Sequence, residues 1–163
     1  MASVVEIFIA SAGGETPHAV PLAQLVAGKG IVGDRYHDDT GTFSYRLAGK
    51  PDAELTLIAR EEIDAFNAAT GQVLTGADLR RNVVTEGVDL AALVGRDFRL
   101  GSVRLRGHRL CEPCAHLAGL VGDGVLEVMA HKAGLRAQIL EGGTLKPGDA
   151  LADEGPAAAR DAT

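Results

Sequence analysis

Both cysteines of this 163-residue chain fall in one stretch, "HRLCEPCAH" at 108–116, three positions apart and with a histidine on either side. Cysteine does its chemistry as the thiolate, which is favoured beside positive charge and at a helix N-terminus. His108 and Arg109 precede Cys111, and Pro113, which has no backbone N–H to lose, suits the first turn of a helix starting around Cys114. Four readings of the stretch compete. A buried thiol packs as a small hydrophobe, but His, Arg, Glu and Pro are poor core neighbours. C-x-P-C between a strand and a helix resembles a thioredoxin-like redox motif, yet only 49 residues follow Cys114 and none offers an apolar strand ending in a suitable proline. His108, Cys111, Cys114 and His116 give four ligands in nine residues, as a zinc site requires, although the last two lie so close that the chain must wrap tightly. In the fourth reading one cysteine is a soft-metal ligand or a sulfur carrier, tuned by the second thiol and the histidines.

Two further blocks carry polar chemistry. "LRRNVVTEG" sets Arg80, Arg81 and Asn82 side by side: paired guanidiniums suit a phosphate, carboxylate or other oxyanion, and an amide both donates and accepts. Their plain alternative is a strand edge with Asn82 satisfying a neighbouring loop. "GIVGDRYHDD" offers Gly33 for a turn with Asp34, Arg35 and His37 exposed behind it, either as an Asp-stabilised turn or as a lid over a cysteine pocket.

These residues need elements to hold them. "SVVEIFIAS" reads as a strand with Val5, Ile7 and Ile9 on one face, and "HAVPLAQLVAG" as a second strand that Pro21 confines to an edge or bends. "GKGIVGDRYHDDTGTFS" reads as a long loop. "AELTLIA" is a strand, and "REEIDAFNAATG" after it is a helix with Ile63 and Phe66 inward, acids in its first turn and Gly71 as its stop. "RRNVVTEG" is another strand, "VDLAALVG" a helical turn, and "RDFRLGSVRLRGHRL" two strands broken at Gly101, with Val103 and Leu105 facing away from Arg104, Arg106 and His108. "AHLAGL" and "DGVLEVMAHKAG" predict one helical turn and a second helix with Val125, Val128 and Met129 inward. "LRAQILEGGTLKPGDAL" predicts two short strands, and "DEGPAAARDAT" a frayed tail. Short strands punctuated by glycine, with a few helices inserted, point to a mainly β, barrel-like core instead of alternating parallel βαβ units. The expected organisation is one domain over 1–152 and a flexible tail over 153–163.

The formal net charge of -6 argues against nucleic acid as a partner, because an acidic protein gains nothing from counterion release. Seven of the twelve arginines nevertheless lie between Arg80 and Arg109, on the wet face of strands or around a local anion site. No apolar run approaches the roughly 20 residues that span a bilayer, and the N-terminus lacks a signal-peptide pattern. The expectation is a cytoplasmic protein without a membrane partner, in which neighbouring cysteines are reactive, redox-active or metal-binding and not a staple.

Taken in order, "GKGIVGDRY", "ELTLIAREEIDAF", "LRRNVVTEGVDLAALVGRDFRLGSVRLRG", "LCEPCAHL" and "GLRAQILEGGTLKPGDAL" resemble a stand-alone MOSC domain, the module named for the C-terminal part of molybdenum cofactor sulfurases. The resemblance covers roughly residues 3 to 152 and rests on the ordered set, since a lone "GD" or "PC" carries nothing. It implies a mainly β, barrel-like fold with a few short α-helices, and a cysteine that ligates molybdenum or carries sulfur. The family's Pro-Cys step falls on Pro113 and Cys114, which makes Cys114 the implied catalytic thiol, Cys111 an auxiliary one, and Cys114 with His116 the implied metal ligands. Arg80, Arg81, Asn82, Asp34, Arg35 and His37 become the implied cofactor-binding set. The molybdenum cofactor (molybdopterin) is the implied cofactor; no PLP is expected, because the chain is too short to hold the desulfurase that precedes the domain in large eukaryotic sulfurases. Some stand-alone relatives are linked to reduction of N-hydroxylated bases, which implies a small-molecule ligand and an electron-transfer protein as partner; sulfur carriage implies a sulfurtransferase. The alternative from another class is a binding module without turnover, stabilised by zinc at the His/Cys cluster.

Overall fold

The computed structural model describes residues 2–11, 16–35, 54–111 and 134–157. Eleven strands fall in two sheets: β1 (Ser3–Ile9), β2 (His18–Ala19), β3 (Ala23–Val26), β4 (Gly30–Ile31), β5 (Leu55–Ala59), β6 (Val83–Glu86), β7 (Arg96–Leu100), β8 (Val103–Leu110), β9 (Leu135–Glu141), β10 (Gly143–Leu145) and β11 (Leu151–Pro156). The larger sheet runs β11-β7-β8-β9-β5-β6-β1-β2 and curls into a half-barrel, and β10-β3-β4 forms the smaller one. The main core lies between them, where Leu25, Ile31 and Leu145 of the small sheet meet Leu57, Phe98, Leu105 and Ile139 of the large one. Burying this many branched side chains is the dominant favourable term in folding.

The fold is mainly β, as the glycine-punctuated strands predict. Among the described strands the pairings are antiparallel save that of β5 with β6, which are parallel and joined through α1 (Arg60–Thr70). A single βαβ unit therefore sits inside the half-barrel, because parallel neighbours need a crossover long enough to hold a helix. α1 buries Ile63 and Phe66 and stops at Gly71, which adopts φ 72. Those two side chains join Phe8, Ile58, Leu79 and Val84 in a second apolar cluster behind the sheet. Among the described residues α1 is the α-helix and Leu90–Leu93 a short 3-10 turn; the helices expected over 115–133 lie outside them.

Four local expectations change. The strict alternation of "SVVEIFIAS" is broken by a bulge between Val4 and Glu6, so Val4 and Ile7 face the main core while Val5 and Phe8 pack on the helix side. Pro21 divides the expected second strand into β2 and β3. The expected long loop contains β4 and folds back on β3 as a hairpin. After β9 the chain crosses to the small sheet at Gly142, whose missing Cβ leaves room for the Leu25 carbonyl. β11 then runs to Pro156, so residues 153–156 are paired strand and not frayed tail.

Arg99 of β7 and Arg104 and Arg106 of β8 share one face of the ladder. Arg99 and Arg104 face each other across the ladder, a repulsive arrangement that Glu154 resolves by accepting from both, at 2.8 and 2.9 Å. Asp97 takes Arg104 and Arg106, and Asp153 takes Arg96.

Candidate functional site

Three blocks distant in sequence meet at one end of the large sheet. The "GDR" turn comes first. Asp34 is fully buried and Arg35 nearly so, which corrects the expectation that both are exposed. Asp34 Oδ1 accepts from the Ala10 backbone N–H at 3.0 Å and from Arg35 Nη1 at 3.1 Å. Arg35 Nη2 then donates to the Arg80 carbonyl at 3.0 Å. A buried ion pair survives when its remaining polar atoms are satisfied, and here backbone groups do so. The segment therefore ties the end of β1 to residue 80; His37 lies outside the described residues.

The "RRN" block divides into three jobs. Residues 75–81 form a compact turn in which Leu79 N–H donates to Thr75 O, Arg80 N–H to Ala77 O and Arg81 N–H to Gly76 O. The last two bonds are the 5→2 and 6→1 pattern that ends a helix, and Arg80 occupies its left-handed position at φ 61. Arg81 is buried and reaches the other way, donating from Nη1 to Leu79 O at 3.0 Å and from Nη2 to Cys111 O at 3.2 Å. Asn82 is locked into the sheet: its Oδ1 accepts from the Thr56 N–H and hydroxyl, both at 3.1 Å, its N–H donates to Thr56 Oγ1, and its Nδ2 donates to Phe8 O.

Cys111, at the end of β8, is the third meeting point. Its side chain is buried, and its N–H donates to Gly134 O at 2.7 Å while its carbonyl receives Arg81. Cys111 and Gly134, the described residues on either side of 112–133, are thus bonded to each other; Pro113, Cys114 and His116 lie outside the described residues. His108 faces Gln138 across β8 and β9, with Nε2 2.8 Å from Oε1. Among the described residues no group of three or more His, Cys, Asp or Glu side chains is placed to hold a metal.

A cavity of about 290 Å³ opens at the carboxyl ends of β5 and β6, lined by Ala59, Val88, Leu90 and the two residues bracketing the cysteine segment, Leu110 and Gly134. Its charged lining is Glu61, Glu62 and Asp89, so the guanidiniums lie outside it. Glu61 and Asp89 have structural work there, accepting from the Gly87 and Ala91 N–H groups.

Two polar groups escaped the sequence reading. Thr56, the partner of Asn82, hides inside an apolar strand. Glu54 is buried just before β5, where its Oε1 accepts from the Gly28 and Ile139 N–H groups; burial raises its carboxyl above the ordinary value, those two bonds pulling the other way. The turn at 75–81 did have a signal, Thr75 followed three residues later by Asp78, whose side chains cap each other's backbone.

Comparisons with known proteins agree with this architecture. Residues 44–152 match the MOSC domain family model. In overall structure the chain is similar to the YuaD protein from Bacillus subtilis, with a TM-score of 0.79 at 15% identity, covering 97% of this chain and 98% of that one. It is similar also to YiiM from Geobacillus stearothermophilus (TM-score 0.73, 14% identity, 94% and 75% covered) and to YiiM from Escherichia coli (0.70, 17%, 97% and 72%). Comparison with curated proteins gave no match. A mainly β half-barrel, the ordered sequence blocks and a family match over residues 44–152 lead to one conclusion: the chain belongs to the MOSC domain family.

Proposed function

We propose that this MOSC-domain protein binds the molybdenum cofactor or a related sulfur-bearing ligand through the thiol of Cys114, and acts in sulfur carriage or in the reduction of small N-oxygenated compounds. The observation that carries the reading is the convergence at the root of the cysteine segment: the buried Arg81 donates to the Cys111 carbonyl, and the buried Arg35, paired with Asp34, donates to the adjoining Arg80 carbonyl. An anionic, sulfur-rich group fits such a place, since guanidinium forks match phosphate oxygens and thiolate is a soft metal ligand. When bound, the cofactor supplies two-electron chemistry at a sulfur-ligated metal.

The chain's own residues do the rest. Arg80 and Arg81 contribute positive potential, which favours loss of the proton from a nearby thiol. Arg81 also fixes the backbone from which Cys114 departs, and Asn82 makes β1, β5 and β6 one rigid support. Rigid elements beneath a reactive group keep its geometry. The work belongs in a reducing compartment, the cytoplasm, with an electron-transfer protein as partner for reduction or a sulfurtransferase for carriage.

Purification from a molybdenum-replete host tests this. Wild type is expected to carry molybdenum or cyanide-labile sulfur, and Cys114→Ser to lose it. Equal amounts on both proteins, or none on either, would end the reading.

A further inference from the structure

The cavity at the carboxyl ends of β5 and β6 has two polar groups beside it that the described fold leaves unused. Glu62, half-buried in its wall, makes no hydrogen bond or ion pair to any described residue. Thr85 is fully buried, and its hydroxyl is the one buried side-chain polar atom among the described residues without a hydrogen-bond partner. Its place follows from register: Thr85 lies opposite Ala59 in the parallel β5–β6 pair, so the two side chains share a face, and Ala59 lines the cavity. Gly87, two residues further on and also in the lining, continues that face. A buried hydroxyl left unpaired is costly, and one kept beside an open space is a polar atom that a bound molecule can satisfy.

The rest of the lining sets the character of that molecule. Ala59, Val88, Leu90 and Leu110 give apolar walls, and the charged groups are all carboxylates: Glu61, Glu62 and Asp89. Glu61 and Asp89 come from different elements, and each spends one oxygen on a backbone N–H, at 2.7 Å from Gly87 and 3.1 Å from Ala91, which fixes its charge in place. Charges of one sign among low-dielectric walls focus a negative potential. A volume of about 290 Å³ suits a small molecule.

We infer that this cavity is a binding site for a small organic cation, a protonated amine on a short apolar body. Glu62 receives the ammonium N–H groups, the aliphatic walls cover the body, and the Thr85 hydroxyl lies at the inner end of the site. Nothing in this depends on the molybdenum reading, since none of these residues belongs to the set proposed to hold the cofactor.

Titration of the full chain with n-butylammonium chloride, followed by the backbone amide signals in nitrogen-15 NMR, tests it. Ammonium chloride supplies the charge without the body, and sodium butyrate the body with the opposite charge. Butylammonium should give saturable shifts centred on Gly87, Val88 and Ala91, with ammonium much weaker and butyrate without effect. Glu62→Gln should weaken butylammonium binding roughly tenfold, as loss of a charged hydrogen bond does. Thr85→Val, which keeps the shape and removes the hydroxyl, should change the dissociation constant at least about twofold while leaving the selectivity for cation over anion. Absence of saturable shifts, equal binding of butyrate, or wild-type affinity in both variants would each overturn the inference. A capped Gly-Lys-Gly peptide binding more tightly than butylammonium would overturn it too, by assigning the cavity to a lysine side chain of a protein partner.

Discussion

At the scale of single residues, the trio at 80–82 shows what adjacency in sequence conceals. All three side chains are polar and consecutive, and the sequence marks them as a group, but their roles depend on partners far along the chain. Asn82 bonds Thr56, 26 residues away, and Phe8, 74 away. Nothing local announces that Thr56, inside "AELTLIA", is the polar half of this lock. Asn82→Ala leaves the Thr56 N–H and the Phe8 carbonyl buried without that partner, and should cost about 2–4 kcal/mol in urea unfolding. Asn82→Asp keeps the acceptor but loses the donor and buries a charge, so it should be no better. Local residue types left core, redox, zinc and soft-metal roles of the cysteines all open, so the weight on the Pro113–Cys114 step comes from family likeness alone, and that step lies outside the described residues.

Elements were legible wherever periodicity was clean. The helix 60–70 and the strands on either side of Gly101 follow from apolar spacing and stop signals, and appear where expected. Where a contact overrides period, the sequence misleads: the bulge at β1 rotates Val5 to the helix side, and the hairpin β3–β4 emerges from what reads as loop. Glu54 stitches that hairpin to β9 by receiving the Gly28 and Ile139 N–H groups. Its raised carboxyl means the folded state favours the protonated form, so stability is fullest below the ordinary Glu range and falls as pH rises through the higher folded value. Glu54→Gln, neutral throughout, should therefore gain on wild type as melting is followed from pH 4 to 7. A difference that stays flat across that range would show the carboxyl is not responsible.

For the molecule as a whole, the curled sheet was legible as a class, a mainly β core with few helices, and its strand order was not. Order depends on which strands meet across long separations, and β5 lies between β9 and β6 for reasons of core packing that no local window contains. The far edge, β11, was misjudged because small and acidic residues read as a tail, when Asp153 and Glu154 are the counterions of Arg96, Arg99 and Arg104. Those arginines hold both carboxyls below their usual range, so the contribution is present at neutral pH and lost on acidification. Ending the chain after Ala152 removes these carboxylates and part of the β11 ladder, and should lower the urea midpoint at neutral pH; an unchanged midpoint would make the extension dispensable. The tie between Cys111 and Gly134 reaches further still. Because Cys111 and Gly134 are bonded to each other, the strands they end and begin are held in register by the scaffold's own pairing, whatever the residues between them do.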